Sequence, residues 1–207
     1  MVEIRGKSRT AVLPPTVVGL VLSLFPIVYL HVASVGELSP IAHTISDYIF
    51  VDNGAGLLAV TSLTLAAASL GLLVALIRAG LPRRGPVAVL MGLWSAGLAV
   101  AAVFPTDPTG TPTTFSGAVH RYAGAVMFAC LPLAGWLISR TFISSTALRR
   151  ISIAAGITSV AFMLSHVSAA HPGGVVVLGL FERVLFALLY GLLFALASAV
   201  LRREEAS

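Results

Sequence analysis

The sequence predicts an all-α, polytopic integral membrane protein with six transmembrane helices and a short outer interfacial helix. Three observations carry that expectation. The 207-residue chain is 57% hydrophobic and only 10% charged, with a mean hydropathy of +0.99, which lies outside the range of soluble domains. Its apolar stretches reach the ~20 residues that cross ~30 Å of hydrocarbon at 1.5 Å per helical residue. Eleven of its thirteen Lys and Arg residues fall near one set of helix ends, and all five histidines fall near the opposite set.

The first span is drawn from about Pro15 to Val35, behind Arg5, Lys7 and Arg9. That start has the look of a secretory leader. The apolar stretch is nevertheless longer than a usual leader core, and its Val32 to Glu37 exit lacks a clean small-x-small cleavage site, so a retained anchor is expected. Ser39-Pro40 then supplies a hydroxyl cap followed by a proline at the first helical position. From there Ile41, Ile45, Tyr48 and Ile49 share one face at the 3.6-residue period, and Ser39, His43 and Asp47 share another. A short helix lying in the membrane interface is therefore expected over this segment.

The remaining spans are drawn at Gly54 to Ala79, Pro86 to Phe104, Ser116 to Ser139, Ile151 to Ala170 and Leu178 to Leu201. Three prolines and a glycine between Phe104 and Thr114 end the third span and forbid a helix across the loop. Ser116 or Thr114 caps the fourth span, which puts His120 and Arg121 in its first turns. Pro132 should kink that span. The pairs Ala67/Gly71 and Gly92/Ala96 have the spacing that lets helices approach closely.

Arg78, Arg83 and Arg84 join spans two and three; Arg140, Arg149 and Arg150 join four and five; Arg202 and Arg203 follow six. By the positive-inside rule both termini are then cytoplasmic. The expected organisation is a cytoplasmic segment 1–14, one transmembrane domain 15–201 and a cytoplasmic tail 202–207. Arg outnumbers Lys twelve to one, which suggests a high-GC bacterial source and hence a bacterial cytoplasmic membrane. No basic run exceeds a pair, so the formal charge of +5 reads as membrane orientation and no nucleic-acid partner is expected. The single cysteine, Cys130, lies inside an apolar run and reads as a packing residue.

Polar chemistry is thus expected at the outer ends, from His43, Asp47, Asp107, His120, Arg121, Ser165, His166, His171, Glu182 and Arg183. These outer motifs are where a family resemblance lies. His43-Thr44-Ile45-Ser46-Asp47, Phe104-Pro105-Thr106-Asp107, Val119-His120 and Gly179-Leu180-Phe181-Glu182-Arg183 occur in the order and approximate spacing of the bacterial and archaeal membrane proteins grouped as domain of unknown function 998. The chain resembles that family from about residue 15 to 200. The resemblance implies a six-helix membrane fold and assigns no catalytic residue.

Three classes of function fit these residues. The first is binding of a lipid or small amphiphile, with His43, Arg121, Ser165 and Arg183 as binding candidates and membrane lipids as the expected partners. The second is a membrane-embedded enzyme using Asp47, Asp107, His120 and Glu182 for acid–base work, or using His120, His166, His171 and Asp107 to hold a zinc ion, since imidazole with carboxylate suits Zn²⁺. No cofactor is required by the sequence. His166 and His171 are five residues apart and do not share a helical face, which counts against zinc. Ser39, His43 and Asp47 resemble a hydrolase triad, but three side chains on one short helix rarely meet triad geometry. The third class is an accessory subunit in which the same residues pair structurally, with a membrane-protein partner or a second copy of the chain.

Overall fold

A computed structural model describes residues 12–108, 110–169 and 176–205. Among the described residues there are seven α-helices: α1 (Leu13–Leu22), α2 (Leu24–Ala33), α3 (Gly54–Arg78), α4 (Pro86–Val103), α5 (Phe115–Thr141), α6 (Thr146–Ala169) and α7 (Leu178–Glu205). The first two form one span broken at Ser23, so six helices are long and apolar enough to cross a membrane. The protein is a multi-pass membrane protein. Each span packs against the next in the chain, and α7 closes the bundle by packing on α1, α3, α5 and α6. Traversal alternates direction, which gives a histidine end carrying His31, His43, His120 and His166 and an arginine end carrying Arg78, Arg140, Arg149, Arg150, Arg202 and Arg203.

Local chemistry explains the breaks. Pro26 has no N–H to give the Leu22 carbonyl, and the first span is interrupted one residue after Leu22. Ser23 sits at that break, buried, with its hydroxyl 2.8 Å from the Leu20 carbonyl and 3.0 Å from the Tyr190 hydroxyl of α7. In α5, Pro132 cannot donate to the Phe128 carbonyl. Here the hydroxyl of Ser159 on α6 reaches that carbonyl at 2.8 Å, while also lying 2.9 Å from Ala155 O in its own helix. In lipid no water is available to satisfy the orphan, so a neighbouring serine does so.

Small residues set the closest helix approaches. Gly19 faces Ala68, and Gly71 faces the Thr16 side chain, where α1 crosses α3. Ala67, its expected partner at the interface, is exposed, and Gly92 faces open space. The close contact of α4 on α5 is made at Gly97, against Met127. Trp94 is fully buried and donates to Ser69 Oγ at 2.9 Å, so it is a core residue rather than an interface anchor. Trp136 lies one turn from Arg140, whose guanidinium sits 5.4 Å from its ring centroid near the arginine end.

Two boundaries differ from the sequence expectation by more than two residues. Helix α6 begins at Thr146, five residues early, because Ser145 caps it: its Oγ accepts from Leu148 N at 3.3 Å. Arg149 and Arg150 therefore lie in the first two turns of a helix rather than in the loop before it. Likewise α7 continues through Arg202 and Arg203 to Glu205, where a tail was expected.

Ser159→Ala removes the hydroxyl that reaches across to the Phe128 carbonyl. The expected cost is about 0.5–1.5 kcal/mol in reversible unfolding from detergent micelles. In a Pro132→Ala background, where residue 132 regains its N–H, the cost should shrink measurably; an equal cost in both backgrounds would show that Ser159 acts otherwise.

Candidate functional site

The expected interfacial helix is not continuous. Ser39 starts it as anticipated, with Ser39 Oγ accepting from Ala42 N at 3.4 Å and the His43 N–H donating to Ser39 O at 2.8 Å. The turn then breaks and resumes as a 3₁₀ helix over Ser46–Phe50. The cause is competition for backbone groups. In an unbroken α-helix Thr44 N would donate to Pro40 O, Ile45 N to Ile41 O and Asp47 N to His43 O. Instead, Asp47 Oδ2 takes the Thr44 N–H at 2.7 Å and Glu182 Oε2 takes the Ile45 N–H. The released carbonyls turn to α7. Arg183 Nη1 donates to Pro40 O at 2.9 Å and to His43 O at 2.7 Å, and Leu180 N donates to Ile41 O at 3.1 Å.

Consecutive residues on a helix point in different directions, and here that divergence is used. Glu182 supplies the acceptor and Arg183 the donors for one interrupted turn. Glu182 is 5% exposed, so its carboxylate is committed to the loop inside the bundle end. Arg183 Nη2 donates to Tyr48 Oη at 2.7 Å, and its guanidinium lies 5.5 Å from the Tyr48 ring centroid. With that oxygen accepting, the Tyr48 hydrogen can be donated to His31 Nδ1, 2.8 Å away. A chain Arg183–Tyr48–His31 thus links α7 through the 3₁₀ helix to the end of α2. Gly179 permits the approach: a Cβ there would collide with the carbonyl oxygens of His43 and Pro40.

Asp107 does a second, separate job. Its Oδ2 accepts from Thr114 N at 2.9 Å and its Oδ1 from Thr114 Oγ1 at 2.7 Å. Thr114 Oγ1 in turn accepts from Gly117 N at 3.1 Å and caps α5, and any side chain at Gly117 would strike the Asp107 carboxylate. The Thr114 hydroxyl holds Asp107 below the ordinary carboxylate pKa. The Thr114 N–H adds to this, partial dehydration opposes it, and the charges of Arg121 and His120 lower it further. Arg121 itself is exposed and reaches Thr113 Oγ1 at 3.4 Å. His120 Nδ1 lies 2.8 Å from Phe104 O and 3.3 Å from Ala101 O. Carbonyls only accept, so Nδ1 carries the hydrogen and Nε2 is left as the ring's second position.

His120 and Glu182 meet at one feature, a cleft of about 210 Å³ between the 3₁₀ helix, α3, α4, α5 and α7. Its wall is mostly apolar, with Leu58, Leu98, Ala102 and Met127 among the lining residues, and Ser46 and Ser62 adding hydroxyls. Ser46 Oγ lies 2.8 Å from Thr44 Oγ1, which donates to Asp47 Oδ2 at 2.9 Å. Asp47 is therefore one hydroxyl removed from a residue lining the cleft.

The other candidates lie elsewhere. His43 Nδ1 accepts from Ser39 N at 3.0 Å and Asp47 is bound to Thr44, so Ser39, His43 and Asp47 do not form a triad. Ser165 and His166 both bond back to Phe162 O of their own helix, at 2.6 and 3.1 Å, and the His166 ring packs edge-on against Phe162. His171 lies outside the described residues. Among the described residues no group of three or more His, Cys, Asp or Glu side chains is placed to hold a metal ion.

Sequence reasoning misses Tyr48 and Gly179 as working members of this end. Periodicity puts Tyr48 on an apolar face, but a tyrosine that is 1% exposed must find its hydroxyl a partner, and that residue type was the available signal.

Arg183→Lys should cost about 2 kcal/mol or more in unfolding free energy, because an ammonium cannot span two carbonyls while stacking on Tyr48. Arg83→Lys, in an exposed loop at the other end, should be neutral within about 0.5 kcal/mol. For Asp107, whose folded pKa is depressed, the stabilising contribution is complete above about pH 4 and is lost as pH falls through the folded pKa. The difference in thermal midpoint between wild type and Asp107→Asn should accordingly narrow towards pH 2.

No curated protein and no solved structure matches the chain. Residues 17–199 match the family described as Protein of unknown function (DUF998), in agreement with the outer motifs and the six spans, and the chain belongs to that family.

Proposed function

We propose that this protein binds the polar end of a membrane lipid or small amphiphile in the cleft at its histidine end, with that end facing away from the cytoplasm. The observation that carries the reading is the cleft itself, an apolar cavity whose polar lining groups are His120, Glu182, Ser46 and Ser62. Ligand sites are concave and mostly apolar, with a few polar groups that fix orientation. His120 is held by two carbonyls, so its ring is pre-oriented and only Nε2 is left for a ligand. At about 210 Å³ the space suits a small headgroup with the start of a chain rather than a whole lipid. The orientation rests on the basic residues at the opposite helix ends.

A structural reading is favoured by a different observation: Glu182, Arg183 and Asp47 are already engaged with backbone groups of the first loop. In that reading the cleft is a packing imperfection and the protein an accessory subunit. The two readings separate by occupancy. A diazirine-bearing monoacylglycerol, photolysed with the purified protein in vesicles, should label Leu98, Ala102 or Met127, and Ala102→Phe should reduce that labelling at least about fivefold. Labelling spread evenly over exposed apolar residues such as Val18 and Leu22, unchanged by Ala102→Phe, would rule out the binding reading.

A further inference from the structure

The hydrogens of the polar groups around the cleft have assignable directions, and three of these groups turn theirs away from it. Asp47 Oδ2 accepts, so Thr44 Oγ1, 2.9 Å away, spends its one hydrogen there. Thr44 Oγ1 can then only accept from Ser46 Oγ, 2.8 Å away, and that bond uses the single Ser46 hydrogen. Ser46 lines the cleft and so offers a ligand lone pairs but no hydrogen. Glu182 repeats this polarity from α7: Oε2 accepts from Ile45 N, and the carboxylate keeps further lone pairs with nothing to donate. His120 repeats it from α5, because its Nδ1 hydrogen is turned to the Phe104 and Ala101 carbonyls and a neutral ring presents the Nε2 lone pair.

Three acceptors carried by three different elements thus border one small apolar space. We infer, on the basis of the binding reading above, that the cleft selects an uncharged amphiphile with a hydroxyl-bearing head, such as a glycerol monoester, and rejects anionic heads. A carboxylate or phosphate head only accepts. It would face lone pairs with lone pairs and meet the Glu182 charge, and a site with buried groups left unpaired discriminates strongly. A hydroxyl both donates and accepts, so it can serve one of the acceptors and also take the hydrogen of Ser62 on α3, the remaining hydroxyl in the lining. An ammonium has no lone pair for Ser62. It would also add a cation at the end where the Arg183 guanidinium is already held on the His43 carbonyl.

The test compares three diazirine probes of one chain length, ending in a glycerol ester, a carboxylate or a primary ammonium. Each is photolysed with full-length protein in phosphatidylcholine vesicles, and labelling at Leu98, Ala102 and Met127 is normalised to that at exposed Val18 to cancel differences in partitioning. The glycerol ester should label the cleft about tenfold or more above the carboxylate, and above the ammonium. Thr44→Val keeps the Thr44 N–H on Asp47 but removes the oxygen that takes the Ser46 hydrogen, so Ser46 can donate into the cleft. The carboxylate-to-glycerol labelling ratio should then rise about threefold or more, and Thr44→Ser, which keeps the hydroxyl, should restore the wild-type ratio. The comparison of heads on the wild-type protein stands even if Thr44→Val fails to fold. Labelling led by the carboxylate or the ammonium, or a ratio that Thr44→Val leaves unmoved, would overturn the head assignment while the cleft remains a binding site. No probe enriched in the cleft over Val18 would overturn both.

Discussion

Four backbone groups between Pro40 and Ile45 find their partners on α7 instead of along their own chain, and the histidine end of the bundle depends on that exchange. Pro40 O and His43 O take the Arg183 guanidinium, Ile41 O takes Leu180 N, and Ile45 N goes to Glu182. A buried backbone group without a partner costs on the order of 1–3 kcal/mol, and bonds to charged groups are worth about 1.5–3 kcal/mol each. Breaking a helical turn beside a membrane is therefore tolerable only because the last span brings both a carboxylate and a guanidinium to the break. The positions are adjacent in sequence, so one helical turn delivers both signs of charge.

That anchor sets the shape of the end. Pinning residues 40–45 on α7 sets the 3₁₀ helix against α3, with Tyr48 and Ile45 buried. The cleft exists because this short element roofs the space between α3, α4, α5 and α7. Glu182 thus serves twice: it holds the roof and lines the space under it. Asp107 and Thr114 act on another part of the rim, setting where α5 begins and hence where His120 is presented. The rim is built from two independent ties, one on α7 and one on α5.

Much of this was legible in the sequence. Length and hydropathy give the six spans, and the placement of caps is local chemistry: Thr114 before Phe115 and Ser39 before Pro40 act as their residue types suggest. Glu182 and Arg183 were also legible as residues needing partners on other elements, since neighbours on a helix cannot face each other. Their partners in the first loop were not legible, because they are backbone atoms 137 or more residues away, and a backbone carbonyl has no sequence signature. The same applies to the Phe128 carbonyl that Ser159 satisfies. Periodicity misled at Ile41 to Ile49: the apolar spacing is helical, yet acceptors and donors from α7 and Asp47 outcompete the helical pattern for the same groups. The candidate metal ligands are dispersed in the same way, with His166 bonded to Phe162 O of its own helix and Asp107 to Thr114.

The most direct test of this anchor is amide hydrogen exchange at Ile45 and Leu180 in the wild-type protein. If α7 completes the broken turn, both amides are strongly protected and exchange at matching rates, because one opening event releases Ile45 N from Glu182 and Leu180 N from Ile41 O together. If Ile45 instead exchanges as fast as the amides of the exposed 110–113 segment while Leu180 stays protected, Glu182 does not hold the loop, and the constraint on which the histidine end is built is not there.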